Sequence, residues 1–175
     1  LWYRSSSGGF NQNQSYTIRP VAPATSVVMP PGGYFLVSRA IPSSGNGGYR
    51  GPPDPDRTYT SIDMAGANGH MIISRTPTQP TGNTDLNVSD WLAYGTGSFP
   101  GAGGGAAQAM STTSYLERKA KASSTAASLS PGGADEFAGN RQDTRNNSAD
   151  FVLHLFATTP RNPQNSQSPV EPVAP

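Results

Sequence analysis

The chain has 175 residues, a formal net charge of +1, 34% hydrophobic residues and 13% charged residues. Its length suits one domain with loops and a tail, and a charge this close to zero does not indicate a nucleic-acid partner. It contains no cysteine, which excludes disulfides, thiolate catalysis and cysteine-ligated zinc. Its 20 glycines and 17 prolines are typical of many short strands joined by turns, so we expect an all-β protein.

The first half of the chain predicts three strands and a turn. Residues 1–4 and 16–19 are strand-like, and the Pro-Pro-Gly-Gly segment at 30–33 has the residue types of a tight turn. In the run at 34–39 that follows this turn, both faces of the strand begin with apolar residues and end with polar ones. We therefore expect a central strand that is buried between two layers and whose end reaches solvent. A long glycine- and proline-rich loop over 42–57 comes next.

The second half of the chain is less regular. Asn68-Gly69 is typical of a hairpin turn and precedes a strand at 70–75. A strand at 89–95 has Trp91 on one face and Leu92 and Tyr94 on the other. A glycine-dense connector lies at 97–105. Over 106–129 many residues have good helix propensity, but a Ser/Thr run in the middle opposes a helix, so helix and non-helix are about equally favoured. A last apolar strand lies at 151–156, and a Pro-rich tail or linker at 160–175.

The order of these motifs resembles the lamin tail domain of bacterial secreted and surface proteins. The resemblance implies an immunoglobulin-like β-sandwich over residues 1–159 and a strand over 114–119, with Leu116 inward and Glu117 outward. The matching pieces lie at 1–3, 29–37 and 88–95 (Val-Ser-Asp-Trp-Leu-Ala-Tyr-Gly), and at 111–119, 143–151 and 159–162.

Two departures from that family affect the expectations. Family members usually open with two strands that are absent before Leu1, so we expect an incomplete sandwich with open strand edges at this end. Another chain or segment would then complete the sheet by strand addition. Arg141 and Arg145 stand where the family commonly has Gly and Asp. This difference removes an acidic ligand and weakens the prediction of a metal site in this loop.

That loop nevertheless contains four oxygen donors of the kind that calcium prefers, namely Asp143, Asn146, Asn147 and Asp150. Their spacing matches no EF-hand. The alternative is that these side chains hydrogen-bond the backbone of their own loop, and that Asp150 pairs with Arg118 or Lys119.

Other candidate residues carry weaker indications. His70 and His154 each stand alone in an apolar strand, which favours structural roles.

Among Glu117, Glu136 and Asp135, two carboxylates can be considered as the acid and base of glycoside hydrolysis, but nothing in the sequence fixes their separation. The sequence therefore assigns no catalytic and no cofactor-binding residue. We expect exposed aromatic side chains at four positions and core side chains at Trp91 and Tyr94, the exposed ones being Trp2, Tyr3, Tyr49 and Tyr59.

Two functions are compatible with this pattern. The first is a non-catalytic structural or adhesive module of a bacterial secreted or cell-surface protein, with protein partners or copies of itself. The second is a carbohydrate- or nucleic-acid-binding accessory module of a secreted hydrolase. The second function requires an exposed row of aromatic or arginine side chains, and burial of both tryptophans would reject it.

Overall fold

A computed structural model describes residues 1–5, 15–19, 27–41, 48–49, 51–82, 84–96, 105–159 and 163–172. Residues 97–104 of the predicted connector and residues 160–162 of the last matching piece lie outside these ranges. No helix in the described ranges is long and apolar enough to cross a membrane. The expected predominance of strands is confirmed: the elements are β1 (Trp2–Arg4), β2 (Val37–Arg39), β3 (Arg57–Tyr59), β4 (Asn68–Ser74), β5 (Val88–Gly95), β6 (Ser114–Arg118), α1 (Ala126–Leu129), α2 (Asn147–Asp150) and β7 (Phe151–Leu155).

β1, β4 and β5 form an antiparallel sheet with β4 in the middle. Ile72 lies opposite both Trp2 and Trp91, so these three buried side chains form one row across the sheet. Because neighbouring residues on a strand face opposite sides, Tyr3 and Tyr94 belong to a second apolar cluster. The sheet is therefore buried on both faces, and β5 has the predicted separation of Trp91 from Tyr94.

The outer edge of β1 is partly covered by the chain itself. Leu1 exchanges two backbone hydrogen bonds with Tyr16, at 2.8 and 2.9 Å, and Trp2 forms a β-bridge with Ser15. The strand predicted over 16–19 is reduced to this contact. The edge that we expected to be open at Leu1 already has a partner at its first two residues.

The dipeptide Asn68-Gly69 lies inside β4, so the predicted hairpin turn is wrong. A Cβ atom on Gly69 would lie 2.7 Å from the ring of Tyr3 and 2.9 Å from the hydroxyl of Tyr94. Both hydroxyls are fixed by Ala65, whose N–H donates to Tyr3 at 2.9 Å and whose carbonyl accepts from Tyr94 at 2.5 Å. Glycine is required here because two tyrosine side chains crowd the strand backbone, not because the chain reverses.

The apolar run at 34–39 is not a buried central strand, contrary to the prediction. Only β2 is a strand, and among the described residues it pairs with β3 alone, in parallel. The Leu36 N–H donates to the carboxylate of Asp56 at 2.7 Å, and the Leu36 carbonyl accepts from the Arg57 N–H at 3.1 Å. An apolar alternation after a turn is common to central and edge strands, so the pattern alone could not distinguish them.

β6 and β7 form a separate antiparallel pair that packs on the Tyr3–Tyr94 side of the central sheet. Leu116 and Phe151 contact the apolar cluster on that side. Arg118 donates to both carboxylate oxygens of Asp90 on β5, at 2.7 and 2.6 Å, and its guanidinium lies 4.5 Å from the ring centre of Phe151. Apolar packing and an ion pair therefore hold the two sheets together.

The strand that the family resemblance implied over 114–119 is confirmed as β6, and the helix over 106–129 is limited to the single turn of α1. Serine and threonine hydroxyls explain the loss of helix. Ser111 Oγ accepts from the Thr113 N–H at 3.2 Å, and Ser114 Oγ accepts from the Ser111 N–H at 2.8 Å. These local bonds satisfy the backbone in a turn before the strand begins.

The predicted turn at 30–33 forms, and it brings part of the predicted tail onto the domain. Gly32 has a φ of +72°, and its carbonyl accepts from the Glu171 N–H at 2.9 Å. A Cβ atom on Gly32 would lie 2.0 Å from the Glu171 carbonyl oxygen, so only glycine permits this approach. Asn165 also donates to the carbonyl of Asp54 at 3.0 Å. The division of the chain at residue 159 stays a prediction.

We expect Gly69→Ala to lower the free energy of unfolding by about 1–3 kcal/mol, because the added methyl group must displace the Tyr3 and Tyr94 side chains. Gly82→Ala is the matched control, since a Cβ atom at Gly82 has no neighbour within 4 Å. Urea denaturation followed by tryptophan fluorescence measures both variants. Equal losses at the two positions would contradict the close approach at Gly69.

Candidate functional site

The four predicted calcium ligands lie together in the loop that leads into β7. The carboxylate of Asp150 is almost completely buried and accepts from the Thr144 N–H at 2.9 Å, the Thr144 hydroxyl at 2.8 Å and the Asn146 N–H at 3.2 Å. The Asp143 carboxylate accepts from the Arg145 N–H at 3.2 Å. These carboxylates therefore hold the backbone of their own loop, as the alternative interpretation expected.

The two asparagines of this loop also have structural positions. Asn146 Oδ1 accepts from the Gly105 N–H at 3.1 Å and from the Ser148 hydroxyl at 2.7 Å, while Asn147 is buried in α2. Within the described ranges, no group of three or more His, Asp or Glu side chains is arranged to hold a metal ion. The calcium site stays a prediction that our proposals do not use.

The expected pairing of Asp150 with a basic side chain is wrong for Arg118. This arginine pairs with Asp90 instead, because β6 packs against β5 and brings the two side chains together. Two bonds connect β6 and the residue after it to this segment: the Arg118 guanidinium donates to the Gln142 carbonyl at 2.9 Å, and the Lys119 N–H donates to the Asp150 carbonyl at 2.8 Å.

The aromatic side chains do not form an exposed binding row of tryptophans. Trp2 and Tyr3 are 5% and 4% exposed, so the expectation that they face solvent is wrong. Trp91 and Tyr94 lie in the core as predicted. Trp2 and Tyr3 are buried because β4 and residues 15–16 flank β1.

His70 has the structural role that its pattern predicted. Its Nδ1 accepts from the indole N–H of Trp91 at 2.8 Å, and the two rings meet edge to face at 5.6 Å. Burial, with a smaller contribution from the Arg4 charge, lowers the pKa of His70 to about 4. The imidazole is therefore neutral near pH 7, which is the state that lets Nδ1 accept this bond.

His154 is different, because β6 brings a carboxylate beside it. The His154 Nε2 lies 3.0 Å from Glu117 Oε2, and the imidazole is almost fully buried. One of these two atoms must carry a proton, since two facing lone pairs would repel each other. Tyr115 stacks on His154 at 4.7 Å and 8°, and Phe156 stacks on Tyr115 at 5.6 Å. The aromatic stack fixes the imidazole on the outer face of the β6–β7 sheet.

A cavity of about 220 Å³ lies against this outer face. We call it the Glu117 cavity. Its polar lining consists of two carboxylates, two amides and one hydroxyl, from Glu117, Glu136, Asn140, Gln164 and Tyr115. Its apolar lining consists of Leu116, Leu129, Pro131 and Pro163. Among the described residues the lining contains no lysine or arginine, so these residues make the cavity electronegative when its carboxylates are ionised.

Burial raises the pKa of Glu117 to about 7 and lowers the pKa of His154 below its usual value. The pKa of Tyr115 is raised by burial and by the neighbouring Glu117 charge. Near neutral pH the pair therefore contains a carboxyl group that gains or loses a proton readily, next to a neutral imidazole. This arrangement can hold a hydrogen-bond donor or a cation and can exchange one proton with it.

The structure brings two of the three considered carboxylates to this cavity. Glu136 lies in its wall and accepts from the Gly132 N–H at 2.7 Å. Asp135 pairs with Lys121 at 2.7 Å and accepts from the Ser128 hydroxyl at 2.7 Å. No sequence pattern connects Glu117 with His154, because only the register of β6 against β7 makes them neighbours.

No model of a known protein family, no curated protein and no solved structure matches the chain.

The raised pKa of Glu117 predicts how stability depends on pH. A carboxyl group whose pKa is higher in the folded chain than its ordinary 4.5 binds its proton more tightly when folded. Its stabilising contribution is therefore complete below about pH 4.5 and is lost as the pH rises through about 7. We expect wild-type protein to lose roughly 1–3 kcal/mol relative to Glu117→Gln between pH 5 and 8.

Urea denaturation at each pH measures this difference. Comparison with the variant at the same pH removes the opposite contribution of His70, whose lowered pKa favours stability as the pH rises. Asp63→Asn is the control, because its side chain is 73% exposed and the substitution should leave the pH profile unchanged. Parallel profiles for wild type and Glu117→Gln would contradict the buried titration.

Proposed function

We propose that the chain is a non-catalytic structural or adhesive module of a secreted or cell-surface protein, and that it works through contacts with other protein chains. The observation that carries this proposal is the two-stranded β6–β7 sheet. Among the described residues, β6 and β7 pair only with each other. A sheet with two outer edges offers backbone groups to which a further strand can bind.

The hydrogen-bond pattern indicates which backbone groups are available. The Lys119 N–H donates to the Asp150 carbonyl and the Phe156 N–H donates to the Thr113 carbonyl, so odd-numbered residues of β6 face β7. Leu116 lies between these positions, and its N–H and carbonyl point away from β7. The backbone groups of Arg118 point the same way. β6 thus presents two successive outward positions.

The outer edge of β7 is more occupied. The Phe151 N–H donates to the Asn147 carbonyl in the last turn of α2. The Leu155 carbonyl accepts from the N–H groups of Thr158 and Thr159, at 3.1 and 2.8 Å. Only Leu153 remains between these capped positions. We therefore assign strand addition to β6, whereas the sequence placed it at Leu1, where Tyr16 is already bound.

The lamin-tail resemblance belongs to the same proposal. The two-layer packing of β6–β7 on the central sheet, through Leu116 and Phe151, supports an immunoglobulin-like sandwich. The second function considered from the sequence, a carbohydrate- or nucleic-acid-binding accessory module, loses its main support. It requires an exposed row of aromatic or arginine side chains and counts burial of both tryptophans against it, and Trp2 and Trp91 are 5% and 8% exposed.

A backbone ester at Leu116 tests the proposal, with a second copy of the chain as the partner. Leucic acid in place of leucine removes the outward N–H and keeps the side chain in the core. We expect the dissociation constant for self-association, measured by sedimentation velocity, to rise about thirtyfold, because each of the two copies loses one hydrogen bond and each bond contributes roughly 1 kcal/mol.

The same ester at Leu153 is the matched control, since Leu153 lies directly opposite Leu116 and its N–H points to the other edge. It should leave the dissociation constant unchanged. A chain that stays monomeric at its highest soluble concentration, or equal effects of the two esters, would argue against pairing through β6.

A further inference from the structure

The Glu117 cavity has the dimensions and chemistry of a small ligand site. It measures about 220 Å³, below the roughly 300 Å³ at which sites for drug-sized ligands begin. Leu129, Pro131 and Pro163 provide apolar contact, and Glu117 and Glu136 provide carboxylates. A ligand that fits this lining has a short apolar body and a polar end that satisfies a carboxylate.

The charges around Glu117 determine the sign of that polar end. From its own strand Tyr115 faces it, from β7 His154 lies 3.0 Å away, and Glu136 shares the cavity. Glu171 lies behind the cavity wall, where its carboxylate accepts from the Gln164 amide at 3.4 Å. Each of these neighbours is neutral or acidic near pH 7.

Two of the nearby basic side chains are engaged elsewhere, since Arg118 pairs with Asp90 and Lys121 pairs with Asp135. Lys119 and Arg141 are not among the described residues that line the cavity. Within the described part of the chain, an ionised Glu117 therefore lies partly buried beside the neutral side chains of His154 and Tyr115. A carboxylate in this position is poorly solvated, and a bound cation would compensate its charge. An anionic ligand would be repelled by both carboxylates of the cavity.

We propose that the Glu117 cavity binds a short organic cation, namely an alkylammonium or alkylguanidinium group, with the charged end at Glu117 and the alkyl part against Leu129 and the prolines. The group can belong to a free amine or to a lysine or arginine side chain of a partner protein. This site uses the Glu117 side chain and not the outward backbone groups of β6, so it goes beyond the proposed function and does not depend on strand pairing.

The site couples ligand binding to pH. Glu117 attracts the cation only when its carboxyl group is ionised, and burial raises the pKa of this group to about 7. The competent fraction therefore increases about tenfold between pH 6 and pH 8, and the dissociation constant for the cation falls by about the same factor. This dependence is measurable on wild-type protein, without any substitution.

Titration with n-butylammonium, followed by NMR of the Tyr115 and His154 side chains, tests the site. We expect saturable shifts, about tenfold tighter binding at pH 8 than at pH 6, and at least tenfold weaker binding in Glu117→Gln at pH 8. Asp63→Asn should bind as wild type does, since this carboxylate is on the exposed surface.

Further probes identify the ligand class and its source. Butanol, which has the same alkyl chain without the charge, should not bind; binding of butanol as tight as that of butylammonium would overturn the proposal. Tighter binding of glucose than of butylammonium would also overturn the proposal, in favour of a sugar site. The absence of saturable shifts with butylammonium, or tighter butylammonium binding at pH 6 than at pH 8, would overturn it as well.

Two short peptides distinguish the two sources of the cation. Acetyl-Gly-Lys-Gly-amide binding at least tenfold more tightly than butylammonium supports a partner's side chain, provided that the norleucine peptide does not bind. Butylammonium binding at least as tightly as the lysine peptide supports a free amine. The Leu116 ester changes one backbone group beside the cavity but keeps Glu117, Glu136 and the apolar side chains of the lining, so butylammonium binding by that protein separates failure of the site from failure of strand pairing.

Discussion

Burial of the β1–β4–β5 sheet on both faces is the constraint on which the rest of the fold depends. Trp2, Ile72 and Trp91 occupy one face, and Tyr3 and Tyr94 occupy the other. Neither face can be left to water without exposing large apolar side chains, so each face needs a cover. On the tyrosine face, Leu116 and Phe151 of the second sheet contribute to that cover.

The position of the second sheet determines where function can lie. Its inner face is committed to the core, and the Arg118–Asp90 ion pair fixes it to β5. Its outer face carries the Glu117 cavity, and no strand of the described residues pairs with the outer edge of β6. Strand β6 therefore has three separate roles: the Leu116 side chain enters the core, the Leu116 backbone faces outward, and the Glu117 side chain lines the cavity.

Strand positions could be read from the sequence better than strand partners. Short runs of apolar, β-branched and aromatic residues located β1, β4, β5 and β7, because residue type is a local property. Pairing is not local, and the contacts that matter most here depend on it. Neither Glu117 nor His154 has a partner side chain close to it in sequence. Only the antiparallel register of β6 and β7 brings the carboxylate to the imidazole.

The errors at Gly69 and at residues 34–39 have physical reasons of the same kind. Glycine serves a turn or a close approach equally well, and the two tyrosines that crowd Gly69 come from β1 and β5. The apolar run at 34–39 follows good turn chemistry, but its first residues lie outside any strand. For the site, residue types identified candidate carboxylates, whereas their separation and burial required the fold.

Amide hydrogen exchange in β6 tests the central claim most directly, namely that this strand has one paired side and one open side. The account predicts that the Leu116 N–H, which faces away from β7, exchanges much faster than the N–H groups of Tyr115 and Glu117, which face β7. Equal protection at Leu116 and Glu117 would mean that β6 already has a partner on its outer side, and would contradict the account.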